Sequence, residues 1–336
     1  MIEEKIIGIS ENITHALVLT EDGKVYAKGW NNLGELGLGL NLKGKPDKVD
    51  NFQLINDLNE IKAVSTNFGR SADLNRQGKV FVWGNNNWGM AGKAYPKVID
   101  RPYEIPGLKN MVQVSLGGAF VLVLDNKGTV WSWGNNDDGQ LGRYKTIEDE
   151  LNENDFLTAR KVFIEEEVVQ IIARDTICLA LTKKGEIYEW GRYQWDKRLS
   201  GINQLKIQGN EKELRRTIVI TAGREHFLAL TEEGEVFSWG RGTTGRPGDS
   251  FEKMQANPVK ILENIKAISC GEYFGAALGK EDKVYIWGSR FSKKPKQVKI
   301  EQRIIPLLFN PGFQYSLHPG KIESIIRGQI ADSIAL

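Results

Sequence analysis

Phe120-Val-Leu-Val-Leu-Asp-Asn-Lys-Gly128-Thr-Val130-Trp-Ser-Trp133-Gly134-Asn-Asn-Asp-Asp-Gly139-Gln-Leu-Gly142 is the stretch that decides the fold. Two short apolar runs flank a polar turn, which reads as a β-hairpin. The second run ends in Trp-Gly and opens into a glycine-rich turn. The same layout recurs at Val25-Tyr-Ala-Lys-Gly29, Val80-Phe-Val-Trp-Gly84, Ile187-Tyr-Glu-Trp-Gly191, Val236-Phe-Ser-Trp-Gly240 and Val284-Tyr-Ile-Trp-Gly288. The six glycines are 55, 50, 57, 49 and 48 residues apart. Six copies at a period near 50 mark a repeat architecture.

Each Trp-Gly run is preceded by an apolar run ending in Leu and a polar turn, as in His226-Phe-Leu-Ala-Leu-Thr-Glu-Glu-Gly234. A β-rich stretch lies before each hairpin, at 61–65, 112–115, 168–172, 218–221 and 265–269, and a Pro-led strand such as Pro258-Val-Lys-Ile261 often follows it. Each unit therefore supplies four strands, A to D in chain order. A lone four-stranded antiparallel unit leaves both faces bare, so the units must stack around an axis. The expected fold is all-β, a seven-bladed β-propeller of four-stranded antiparallel blades with an irregular last blade; six blades is the alternative. The expected repeats are 6–50, 60–104, 111–163, 168–212, 217–261, 264–300 and 304–336, in one domain over 1–336. The last rests on Lys321-Ile-Glu-Ser-Ile-Ile-Arg-Gly328, which aligns without gaps on Asn264-Ile-Lys-Ala-Ile-Ser-Cys-Gly271.

Composition agrees. Glycine is 36 of 336 residues, as repeated turns require, and hydrophobic content of 40% with 31 aromatics can build a large core. Collagen, a disordered tail and a disulfide miniprotein are excluded. No apolar run exceeds about six residues, against the ~20 of a membrane helix. Residues 1–10 are acidic and lack a secretory apolar region, so no signal peptide and a cytoplasmic location are expected. The net charge of +2 provides no field for nucleic acid. Acidic runs at 148–155 and 165–167 and the basic run Lys293, Lys294, Lys296, Lys299 and Arg303 read as solvated loops. Cys178 and Cys270 lie in apolar runs and read as buried reduced thiols.

The pattern His/Phe-x-x-x-Leu-x-x-x-Gly-x-Val-aromatic-x-Trp-Gly-x-Asn-x-x-Gly-Gln-Leu-Gly resembles the regulator-of-chromosome-condensation repeat. Residues 120–142 match it nearly throughout, and 15–39 and 226–240 match most of it. The Gly-Gly doublet of kelch repeats and the Trp-Asp ending of the other common propeller repeat do not occur. The resemblance implies a seven-bladed propeller. It also implies a guanine-nucleotide exchange factor acting on a Ran-like GTPase, a target shared by some bacterial effectors with these repeats. The family equally includes non-catalytic scaffolds, adaptors and inhibitors, which keeps that class open. The plant UV-B photoreceptor of this family uses a Gly-Trp-Arg-His-Thr signature, and this chain lacks it.

Alternation in strand C places Trp83, Trp133, Trp190, Trp239 and Trp287 in a packing ladder between blades; Lys28 stands at that position in the first unit. His15 and His226 share one repeat position and read as structural hydrogen-bonding groups. No HxxxH, CxxC, Gly-x-Ser-x-Gly or Walker-type loop appears, so no catalytic residue, metal or cofactor is expected. The A–B and C–D connections emerge on one edge of each blade. They carry the residues expected to bind a protein: Trp30, Phe68, Arg70, Trp88, Phe120, Arg174, Tyr193, Trp195, Arg224, Tyr273 and Phe291. The expected partner is a Ran- or Rab-like small GTPase, met by a monomeric propeller.

Overall fold

The computed structural model describes residues 2, 4–40, 47–94, 96–143, 155–192, 202–205, 214, 216–224, 226–241, 254–288, 291–299 and 309. The alternating runs form six four-stranded antiparallel sheets among these residues, each in simple A-B-C-D order. Blade 1 comprises Ile6–Glu11, His15–Thr20, Val25–Trp30 and Lys48–Leu54. Blade 2 comprises Ile61–Asn67, Arg70–Asn75, Val80–Asn85 and Val98–Glu104. Blade 3 follows with Met111–Leu116, Phe120–Asp125, Val130–Gly134 and Arg160–Lys161. Blade 4 has Val168–Arg174, Ile177–Thr182, Ile187–Gly191 and Asn203–Gln204. Blade 5 has Thr217–Ala222, His226–Thr231, Val236–Arg241 and Met254–Leu262. Blade 6 has Ile265–Cys270, Phe274–Gly279, Val284–Gly288 and Lys296–Val298, its last strand short. The seventh repeat expected over 304–336 lies outside the described residues, apart from residue 309.

One register serves the B–C hairpins. The first residue of strand B faces the Trp-Gly glycine: His15 with Gly29, Arg70 with Gly84, Phe120 with Gly134, His226 with Gly240 and Phe274 with Gly288. Gly134 shows why no other residue serves. Its φ is 110°, and a Cβ there would sit 2.7 Å from the Ala119 carbonyl oxygen and the Phe120 Cα.

The chain groups into two compact units, Met1–Ala180 with Glu189–Asn203 and Leu181–Tyr188 with Gln204–Leu336. In the first, the blades are latched through their tryptophans. The indole N–H of Trp83 donates to the Glu35 carbonyl at 2.8 Å, Trp133 to Met90 at 2.6 Å and Trp190 to Gln140 at 3.0 Å. Glu35, Met90 and Gln140 each follow the turn glycine of the preceding blade's C–D loop. An asparagine closes each of those loops: Asn31 Oδ1 accepts from Leu36 N–H, Asn86 from Ala91 and Asn136 from Leu141, all within 3.0 Å. The glycine-rich turn of one blade is therefore an acceptor built for the tryptophan of the next, and every latched indole is fully buried. Both cysteines are buried thiols outside any disulfide, and Cys178 Sγ donates to the Gln140 carbonyl at 3.2 Å.

Two titratable groups sit between blades 1 and 2. His15 is 2% exposed, and its Nε2 lies 2.8 Å from Ser71 Oγ. Ser71 gives its one hydrogen to the Glu35 carbonyl, so Nε2 carries the imidazole proton and donates. Burial holds the His15 pKa down to about 3, which keeps the ring neutral. Asp73 is fully buried, and neither carboxyl oxygen meets a hydrogen-bond partner among the described residues. In blades 1, 3, 5 and 6 its place in the register is taken by Val18, Val123, Ala229 and Ala277. Desolvation pushes the Asp73 carboxyl well above the ordinary carboxylate range.

In the second unit Phe227 stacks on Trp239 with ring centroids 5.5 Å apart. His226 Nε2 donates to the Phe274 carbonyl at 3.1 Å, tying blade 5 to blade 6. The two buried histidines thus share a repeat position and a seam-crossing role through different acceptors.

Candidate protein-binding face

Antiparallel order puts the A–B and C–D connections at one end of each blade, where short turns and long loops replace paired backbone. In blades 1 and 2 this edge is apolar. Trp30, at the end of strand C, is 39% exposed, and Trp88, in the next C–D loop, is 49% exposed. Phe68 lies half-buried in the A–B turn of blade 2. Two apolar residues not singled out by sequence join them: Ile13, 60% exposed, and Leu33, 36% exposed. Both were legible from the repeat. Ile13 occupies the position of Phe68, and Leu33 precedes a turn glycine as Trp88 does.

Arg70 and Phe120 stand elsewhere. Both begin strand B, and that position points toward the neighbouring blade. Phe120 is fully buried. Arg70 is 7% exposed; its guanidinium donates to the Gly118 carbonyl at 2.6 Å and the Phe68 carbonyl at 3.2 Å, and burial lowers its pKa to about 10. Their side chains hold blades together rather than meet solvent. Arg174 is half-buried at the end of strand A of blade 4. The neighbouring loops are charged: Arg192 pairs with Asp138 at 3.5 Å.

The second unit has its own cluster. Arg224 donates to the Tyr273 hydroxyl at 2.6 Å and pairs with the buried carboxylate of Glu272 at 3.6 Å. Burial raises the Tyr273 hydroxyl above its usual pKa; Glu272 pushes the same way and Arg224 opposes. Phe291 packs edge-on against Phe274 at 5.8 Å. Tyr193 and Trp195 lie outside the described residues. No group of three or more His, Cys, Asp or Glu side chains among the described residues could hold a metal ion. No described helix is long and apolar enough to cross a membrane. The first cluster presents exposed tryptophans with Phe68, Ile13 and Leu33, and the second Tyr273 beside a tethered arginine, residue types that favour binding a protein.

The model of the RCC1-like domain matches residues 79–307, and that of the regulator of chromosome condensation (RCC1) repeat matches residues 13–35. The chain belongs to the RCC1-like family. Its fold is accordingly the all-β propeller of that family. Mouse regulator of chromosome condensation is 25% identical over 306 residues, spanning 82% of this chain and 70% of that protein. Guanine nucleotide exchange factor SRM1 of Saccharomyces cerevisiae is 29% identical over 297 residues, or 84% of this chain and 56% of the yeast protein. A shorter match to the X-linked retinitis pigmentosa GTPase regulator of dog reaches 39% identity over 92 residues, which is only 9% of that protein. Among solved structures, human WBSCR16 superposes with a TM-score of 0.72 at 22% identity, covering 89% of this chain and 84% of that one. Yeast RCC1 (Prp20), bound to Kap60, gives 0.70 at 22% identity, covering 88% and 75%. Likeness at this identity establishes the RCC1-like fold, and each blade edge described above is the edge of an RCC1-like blade.

Proposed function

We infer that this RCC1-like chain regulates a small GTPase of the Ran type, binding it through the loop edges of its blades and promoting nucleotide release. The carrying observation is the pairing of homology with surface chemistry. The family model covers most of the chain and relatives matching over most of this chain include a named exchange factor, while the loop edges offer Trp30, Trp88, Arg224 and Tyr273 and, among the described residues, no acid–base constellation. Exchange needs no such constellation. A factor that binds the nucleotide-free GTPase more tightly than the loaded form shifts the equilibrium toward release by that difference alone.

The test is release of fluorescent GDP from purified Ran, with Rab and Rho GTPases alongside, at micromolar concentrations of the full chain. Acceleration for Ran supports the reading. Binding without acceleration assigns the chain to the scaffold and adaptor class, and neither binding nor acceleration for any of the GTPases tested overturns the reading as a GTPase regulator.

A further inference from the structure

We propose that Arg70, where the loop edges of blades 2 and 3 meet, is a carboxylate-binding site that takes an acidic side chain or a chain terminus of a docking protein. Arg70 is 7% exposed, yet its counter-charge is missing. Nη1 donates to the carbonyls of Gly118 and Phe68, at 2.6 and 3.2 Å. Nε is buried and meets no acceptor, and Nη2 has none among the described residues but is not sealed from solvent. No described carboxylate forms an ion pair with the group, Asp175 of the adjoining turn included. Burial lowers its pKa only to about 10, so the cation persists at neutral pH. A buried guanidinium braced by two neutral carbonyls is left uncompensated.

The repeat shows what is missing. In two seams the A–B turn of one blade donates a backbone amide to the turn of the next: Gly118 N–H to the Asp175 carbonyl at 2.7 Å and Arg224 N–H to the Glu272 carbonyl at 2.9 Å. Between blades 2 and 3 the Arg70 side chain takes the equivalent carbonyl, that of Gly118. Glu272 and Gly118 occupy one repeat position. In blade 6 that position supplies a carboxylate, 3.6 Å from the Arg224 guanidinium. In blade 3 it supplies no side chain at all. Gly117, Gly118 and Ala119 thus form a turn of small residues beside the guanidinium, and Nη2 marks the entrance. Nε and Nη2 share one edge of the group, and their parallel N–H bonds match the two oxygens of a carboxylate. One carboxylate also balances one cation, whereas a phosphate brings about two negative charges to it.

This inference rests on the loop edge being a protein-binding surface and not on exchange activity. It is tested on the full chain by following the Gly118 and Ala119 amide resonances during titration. The probes, at matched ionic strength, are a blocked tripeptide with a central glutamate, the same peptide with glutamine, an acetylated dipeptide with a free terminal carboxylate, and inorganic phosphate. The expected result is a saturable shift with the glutamate peptide or the dipeptide, the tighter of the two naming side chain or terminus as the source. Arg70→Gln should weaken that binding roughly tenfold or more. Arg70→Lys keeps the charge without the fork, should weaken it to a lesser degree, and serves should the glutamine variant melt early. No saturable shift, an equal response to the glutamine peptide, tighter binding of phosphate, or undiminished binding by a folded variant would each overturn the site. With no GTPase in the sample, carboxylate binding without GDP release in the exchange assay would sink the exchange reading and leave this one standing.

Discussion

Blades 2 and 3 carry the same loop with different faces. In both, an asparagine closes the turn after Trp-Gly, a glycine precedes the acceptor carbonyl, and the next blade's tryptophan donates to it. Toward solvent they diverge. Blade 2 presents Phe68 and Trp88, whereas the corresponding positions of blade 3 hold Gly118 and Asp138, with Asp138 paired to Arg192. The repeat constrains the side of the loop that faces the next blade and leaves the outer side free. Variation on that outer side is where a partner can be chosen without cost to the fold.

The sharpest way to break this comparison is at the constrained side. Trp133→Ala removes a fully buried indole and its bond to Met90, and should cost about 3–5 kcal/mol in urea unfolding through the cavity left behind. A loss under about 1 kcal/mol would mean that the ladder does not hold the blades.

Asp73 tests the seam between blades 1 and 2 and has the opposite sign. An unpartnered buried polar group costs about 1–3 kcal/mol, so Asp73→Val should stabilise by that order. The pH dependence follows from the raised native pKa. The native state keeps a proton that the unfolded chain releases near pH 4, so the stability contribution of Asp73 is complete below about pH 4 and fades as pH rises toward the native value. Unfolding midpoints across that range should fall in the parent and stay flatter in Asp73→Val. His15 works at the other end. With a native pKa near 3 against about 6.5 unfolded, its contribution is complete above about pH 6.5 and is lost as pH falls toward 3. Substituting His15 by Gln should lessen the acid sensitivity, read as the change in melting temperature between pH 7 and pH 4.

The smallest expected stability effect belongs to the free side. Trp88→Asp, which gives blade 2 the side chain of blade 3, should change stability by no more than about 0.5 kcal/mol, since the ring is half exposed. The same substitution should cost about 2 kcal/mol or more in affinity for any partner that uses this edge, measured by titration calorimetry. A large stability loss with unchanged affinity would reverse the assignment of the two sides.

Much of this was legible in the sequence for a physical reason. Strand alternation, the Trp-Gly step and the spaced glycines are local requirements of a twisted hairpin, and six copies make them unmistakable. Trp30, Trp88, Arg224 and Tyr273 were found by residue type on loops, and the structure leaves each at least partly exposed or tethered at an edge. Arg70 and Phe120 were grouped with them because they adjoin the same turns, but side-chain direction at the first residue of strand B depends on which neighbour the blade stacks upon. No local pattern encodes that. Ile13 and Leu33 were overlooked because isolated aliphatic residues are common on surfaces; only their repeat equivalence to Phe68 and Trp88 and, for Leu33, its seat against Gly69 distinguish them.

The sequence alone determined the repeat, the four-stranded blade and the buried tryptophan ladder, because each follows from backbone geometry and from the period of apolar residues along a single chain. Which carbonyl receives each indole, which charged groups are sealed between blades, and which loop residues share a surface were decided only by tertiary structure. Those contacts join residues some 35 to 60 positions apart across blade seams, and a chain cannot express them until its blades are stacked.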